Sequence, residues 1–129
     1  MEVLKNYFYT KEHEWIAIDG KAATIGISDY AQSALGDITY IELPRPGKEA
    51  RQFEQIASVE SVKAASDIFA PMSGKIIEVN HGLEVHPELI NQSCYKEGWI
   101  AKIELTNPTE KSNLMDASGY EKFVSGLAA

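Results

Sequence analysis

Glu14-Trp15-Ile16-Ala17-Ile18, the turn dipeptide Asp19-Gly20 and the return run Lys21 to Ile27 constrain this chain more than any other stretch. Two β-prone segments flank a dipeptide suited to a type I′ turn, in which both central residues need positive φ. That pattern predicts a β-hairpin. Ser28 then serves as N-cap of a short helix over Asp29 to Leu35, which Gly36 ends. Ile38 to Leu43 is a third strand, halted by Pro44 and Pro46. Ile56 to Val62 and Ile68-Phe69 are further β-prone stretches, with Lys63 between them at the tip of a second hairpin. Trp99 to Leu105 is a late strand with Trp99, Ala101, Ile103 and Leu105 on one face.

The strands also repeat. Gly36-x-Ile38-x-x-Ile41, leading to a turn at Gly47, is echoed by Gly74-x-Ile76-x-x-Val79, leading to a turn at Gly82. Two such halves around the Lys63 hairpin predict a mainly β, pseudo-symmetric sandwich or barrel. The C-terminal region changes character. Asn107-Pro108-Thr109-Glu110 is a helix start, and Ser118-Gly119-Tyr120-Glu121 offers a second capping pattern. Two short helices are expected at about 109–117 and 119–126 within a 107–127 tail, packed through Leu114, Met115, Tyr120 and Phe123.

With 129 residues and no linker, one domain over 1–129 is expected, with a strand-built core at 22–105. No apolar run approaches a membrane span. Met1 to Asn6 resembles neither a signal peptide nor a transit peptide, so a cytoplasmic address is expected. The formal net charge of -7 argues against a nucleic-acid binder and suits docking to basic protein faces. Cys94 is the only cysteine, which excludes an internal disulfide and a cysteine-rich metal site.

Enzymatic readings find little support. Cys94 with His81 or His86 lacks a recognisable orienting group. His13, His81 and His86 show no zinc-type spacing, and no glycine loop cradles phosphate. Lys63 fits another role. A carrier needs an amine on an exposed tip, where a modifying enzyme can deprotonate and acylate it. Small neighbours such as Ala64, Ala65 and Ser66 leave room for a long arm. The competing reading of Lys63 is a solubilising turn lysine.

A family resemblance rests on collinear runs. These are Tyr9-Thr10-Lys11-Glu12-His13-Glu14-Trp15, Ile25-Gly26-Ile27-Ser28-Asp29-Tyr30-Ala31-Gln32, Leu35-Gly36-Asp37-Ile38 and Glu42-Leu43-Pro44. They continue with Glu60-Ser61-Val62-Lys63-Ala64, Pro87-Glu88-Leu89-Ile90-Asn91 and Gly98-Trp99. Over nearly its full length the chain resembles the H proteins of the glycine cleavage system. The resemblance implies a barrel-sandwich hybrid of two pseudo-symmetric antiparallel sheets with peripheral helices. It implies a lipoyl group (lipoate, one per chain) in amide linkage to Lys63, and a carrier rather than an enzyme. The implied partners are a pyridoxal-phosphate glycine decarboxylase, a tetrahydrofolate-dependent aminomethyltransferase, an FAD-containing dihydrolipoyl dehydrogenase and lipoyl-attaching enzymes.

The same resemblance assigns further positions. Glu60 and Gly74 are those a lipoyl-attaching enzyme reads, Gly74 falling, like Gly47, where lipoyl domains keep glycines. Glu60 also reads as a solvated strand-edge acid that discourages edge pairing. Glu14, Asp67, Glu12 and His13 are candidates for a groove that shields the carried aminomethyl group and pairs its ammonium. Against this, Glu14 reads as an exposed acid at a strand start, Asp67 as a turn cap and His13 as a structural histidine. Trp15 and Trp99 read as packing residues. Ser93-Cys94-Tyr95-Lys96 departs from the family's proline- and glycine-shaped loop, which bears on loop shape only. Rival functions are lipoyl relay to 2-oxo acid dehydrogenases, a sulfur-oxidising pathway, or an unmodified docking protein. A biotin carrier fits poorly, because Val62 and Ala64 stand where biotinyl domains place methionines.

Overall fold

In the computed structural model, which describes residues 1–128, the first hairpin forms from β2 (Glu14–Asp19) and β3 (Ala22–Ile27). Its turn differs from expectation. Asp19 pairs with Ala22, so the two-residue loop is Gly20-Lys21, and only Gly20 has positive φ, at 65°. That is the II′ pattern rather than the I′ one. Packing explains the register. Trp15 sits opposite Gly26, and a Cβ there would stand 2.7 Å from the indole. The turn follows where the tryptophan finds room.

Around this hairpin the chain builds two antiparallel sheets. The larger runs β1-β2-β3-β9-β8-β5, adding β1 (Phe8–Tyr9), β5 (Glu49–Ala50), β8 (Gly74–Val79) and β9 (Ala101–Leu105). The smaller runs β4-β6-β7, from β4 (Ile38–Glu42), β6 (Gln55–Ser61) and β7 (Ala65–Phe69). The sandwich is present. The sheets are unequal, and no ring of hydrogen-bonded strands closes among the described residues. The sequence echo maps onto opposite sheets: Ile38 and Ile41 of β4 and Ile76 and Val79 of β8 all point into one shared core.

Short helices cover the rim. α1 spans Asp29–Leu35, and Ser28 caps it by accepting from the Ala31 N–H. Two one-turn helices absent from the sequence reading, α2 (Gly82–Val85) and α3 (Leu89–Gln92), anchor Leu83 and Ile90 in the core. The tail also departs from expectation. Its first helix is a 3-10 segment over Pro108–Asn113, and Met115 forms a β-bridge with Tyr9 before α4 (Ala117–Ala128) begins. Backbone bonds between Tyr9 and Met115 hold that stretch extended, so it cannot continue the helix. α4 closes a second cluster in which Tyr9 stacks on Tyr120 at 4.4 Å. No described helix is long and apolar enough to cross a membrane.

Candidate functional site

Lys63 stands at the tip of the β6–β7 hairpin and is exposed. Ser61 makes that tip firm. Its N–H bonds the Ala64 carbonyl at 2.7 Å, and its hydroxyl accepts from the N–H groups of Lys63 and Ala64. Such a serine turn fixes the backbone and leaves the following side chain free. No salt bridge among the described residues includes Lys63. Its aliphatic chain passes Gly36, where an added Cβ would lie 3.5 Å from Lys63 Cε. Room, exposure and a rigid mount therefore coincide at one primary amine, and a long acyl arm fits there.

The outward face of the three-stranded sheet leads away from this tip. Strand register puts Tyr40, Glu60 and Ala65 in one row and Glu42, Ser58 and Asp67 in the next. β4, β6 and β7 contain no lysine or arginine, so the face carries negative charge only. Glu60 is exposed beside Tyr40, on the same hairpin as Lys63. Gly74 lies elsewhere, buried in the larger sheet, where the Glu104 carbonyl and the Ile103 side chain occupy the space of a Cβ.

The groove candidates separate into three environments. Glu12 is exposed and lines a cavity of about 410 Å³ with Tyr9, Thr10, Phe53, Phe69 and Met115. Glu14 lies behind that wall. It is 1% exposed, contrary to the reading as an exposed acid, and its carboxylate accepts from the Thr10 hydroxyl and the Phe69 N–H. It thereby ties β2 to β7 across the two sheets. Asp67 is a strand residue, not a turn cap; its Oδ1 accepts from Gln55 Nε2 at 2.9 Å. Because alternate residues share a face, Ala65, Asp67 and Phe69 line the same side of the edge strand between Lys63 and the cavity. His13 is turned elsewhere. Its Nδ1 meets the Tyr120 hydroxyl at 2.8 Å, and Tyr30 and Phe123 pack on its ring.

Phe53 did not emerge from the sequence, and Phe69 and Met115 emerged only as a strand residue and a packing residue of the tail, not as cavity wall. Phe53 carried the one available signal, an aromatic set among Arg51, Gln52, Glu54 and Gln55. It remains half exposed with φ of 65°, held by a 2.6 Å bond from its N–H to the Ala70 carbonyl. A larger, polar depression of about 740 Å³ runs from Glu42 to Lys48 and from Gln55 to Ser58. It lies at the end of the small sheet away from Lys63.

Burial pushes the Glu14 carboxyl up to about 7, against the opposing pull of the bonds from Thr10 and Phe69. An unfolded glutamate titrates near about 4.3. The folded state therefore binds this proton more tightly, and its stabilising effect is full below about 4.3 and lost as pH rises to about 7. The span is worth about 4 kcal/mol. Glu14→Gln keeps the shape without the charge, so it is expected to gain stability on the wild type at pH 8 and to flatten this part of the pH profile. Urea denaturation of both proteins at pH 5 and pH 8 checks this; identical pH slopes would count against it.

Cys94 is buried, and burial pushes its thiol up to about 12, which leaves little thiolate for exchange. Its carbonyl accepts from the Trp15 indole at 3.1 Å, which makes Trp15 a packing residue. Trp99 is half buried under the Lys102 ammonium.

Comparison with known proteins gives a consistent set of relatives. The family model described as "Glycine cleavage H-protein" matches residues 7–126. The glycine cleavage system H protein of Symbiobacterium thermophilum is 54% identical over 115 residues, covering 89% of this chain and 90% of the relative. That of Thermus thermophilus is 48% identical over 128 residues, covering 99% of this chain and 100% of the relative. Among solved structures, a glycine cleavage system H protein from Mycobacterium marinum superposes with a TM-score of 0.83 at 30% identity, covering 98% of this chain and all of that one.

Proposed function

The chain belongs to the glycine cleavage H-protein family, and we propose that Lys63 holds the lipoyl group with which it serves that system. It is a carrier component and not itself a catalyst. The observation that carries the assignment of Lys63 is the exposed amine, in no salt bridge among the described residues, on a tip fixed by Ser61.

When bound, lipoate would supply a cyclic disulfide able to take an aminomethyl group on one sulfur with the other left as a thiol, the dithiol that remains after the group is passed on being reoxidised by the flavin dehydrogenase. The chain's own residues do the remaining work. The tip sets where the arm starts. From there to Asp67 the strand advances about 13 Å, and twelve extended bonds of a lysyl-acyl arm span roughly 14 Å. An arm of that length would span the distance to the Asp67–Phe69 side of β7. Phe53, Phe69 and Met115 form an apolar wall there that would limit the access of water to a bound group. Glu12, beside Lys11 on the cavity wall, offers an exposed carboxylate to an ammonium there, and Asp67 offers a second on the strand that leads to it. Glu14, buried and satisfied from within, braces the wall through Thr10 and Phe69.

The partners in this reading are the pyridoxal-phosphate decarboxylase, the folate-dependent aminomethyltransferase, the flavin dehydrogenase and a lipoyl-attaching enzyme. The outer face of β4, β6 and β7, whose only charged side chains are acidic, supports electrostatic docking to basic protein faces. Glu60 is the acid on that face best placed for the attaching enzyme to read. The buried, unpaired thiol of Cys94 is consistent with work in the cytoplasm.

Intact mass and peptide mapping of the protein from a lipoate-replete host provide the direct test. One lipoyl amide at Lys63 is the expected result. An unmodified Lys63 in cells that lipoylate other proteins would overturn the assignment.

A further inference from the structure

The residue before Lys63 is tied to the molecule from outside its own hairpin. Gly36 and Asp37, with a bend at Asp37, link α1 to Ile38 at the start of β4. The Asn91 side chain grips this link. Its Nδ2 donates to the Gly36 carbonyl at 2.9 Å, and its Oδ1 accepts from the Ile38 N–H at 2.9 Å. A neighbouring strand would present the same donor and acceptor. The second Nδ2 proton goes to Gln32 Oε1 at 3.0 Å, so every polar atom of the amide is engaged. The Asp37 carbonyl, between the two gripped groups, accepts from the Val62 N–H at 3.0 Å. Val62 immediately precedes Lys63.

Two further features support this connection. Gly36 adopts φ 80°, ψ −159°, a backbone region open essentially to glycine alone. That conformation turns the chain out of α1 toward β4. It also leaves bare the surface that the Lys63 side chain crosses. Asn91 belongs to α3, whose Ile90 is fully buried, so the amide is mounted on the core. Core, α3, Asn91, the 36–38 segment and Val62 form one continuous bracket.

We propose that Asn91 is a positioning residue for the modification of Lys63, acting through the Gly36–Ile38 segment on Val62. The inference rests on the assignment of Lys63 as the lipoylated residue. Without the bracket the hairpin keeps its Ser61 turn and its pairing to β4 from Ile38–Ser61 onward, but the Val62–Lys63 tip loses its last tie to the rest of the molecule. An attaching enzyme then meets the amine in many orientations, and its KM rises while kcat changes little.

Asn91→Asp tests this. The carboxylate cannot donate to the Gly36 carbonyl and repels it. Asn80 supplies the control, because its Nδ2 also bridges two carbonyls, those of Glu97 and Trp99, at 2.8 Å each. Among the described residues, no hydrogen bond links Asn80 to the Lys63 hairpin. With a purified lipoyl-attaching enzyme and its activated acyl donor, Asn91→Asp is expected to lower kcat/KM about tenfold, mainly through KM. Asn80→Asp is expected to match the wild type at a temperature where all three are folded. An Asn91→Asp rate equal to the wild type, or an equal loss in Asn80→Asp, overturns the proposal. Failure of the wild type itself to be acylated would instead strike the Lys63 assignment.

Hydrogen exchange on the unsubstituted protein gives a reading that does not depend on a variant folding. The Ile38 and Val62 amides are expected to exchange at one slow, common rate. If Val62 exchanges as fast as Lys63 at the tip, the bracket does not hold the hairpin and the proposal fails.

Discussion

Lys63→Arg is expected to reduce glycine-dependent carbon dioxide exchange, reconstituted with the purified decarboxylase, to the rate seen with no carrier added. Arginine keeps the cation and the length of the side chain. Its guanidinium stays protonated in proteins and offers no nucleophile for acylation. The fold gives this substitution nothing to disturb. The tip is closed by backbone groups and the Ser61 hydroxyl, and the Lys63 side chain makes no hydrogen bond or salt bridge among the described residues. Stability should therefore stay within about 0.5 kcal/mol of the wild type, as for most surface changes. Loss of exchange with an unchanged melting curve is the signature of a missing attachment point. Equal exchange by both proteins would reject the carrier role of Lys63 outright.

The second large effect is structural. Gly74→Ala should destabilise the protein by about 3 kcal/mol, the upper part of the range for overpacking. At this chain length that lowers Tm by roughly 10 °C. The added methyl would meet the Glu104 carbonyl oxygen, a backbone atom in the neighbouring strand. β8 cannot retreat, because it is paired to β9 through Gly74–Leu105 and Ile76–Ile103, with both isoleucines fully buried. Gly126→Ala is the reference. Nothing lies within 4 Å of its Cβ position, and alanine favours the helix by up to about 1 kcal/mol over glycine. Thermal unfolding of the three proteins by circular dichroism measures the difference. The same series separates the two roles of Gly74. If folded Gly74→Ala is lipoylated at the wild-type rate below its melting range, the glycine serves packing and not recognition.

Much of the fold was legible because β-strands carry a local signature. Alternation marked β2, β3, β4 and β9, and the repeated Gly-x-Ile spacing marked the pair of strands that face each other across the core. The 3-10 segment and the extended Met115 were not legible. Asn107-Pro108 starts any helical turn equally well, and only the pairing of Met115 with Tyr9 ends it early. The Gly20-Lys21 loop was missed for a similar reason: turn preference was outweighed by the space Trp15 finds over Gly26.

The site divides along the same line. By itself the sequence determined that a lysine sits at a hairpin tip among small residues, because turn chemistry and strand propensity act over a few neighbouring positions. Only the tertiary structure decided that Glu14 is sealed behind Thr10 and Phe69, that His13 turns to Tyr120, and that Asn91 grips a segment more than fifty residues earlier in the chain. Burial and hydrogen bonding depend on which distant segments come to lie side by side. That is settled by how two sheets and their rim helices exclude water from one core, and no local pattern of residues encodes it.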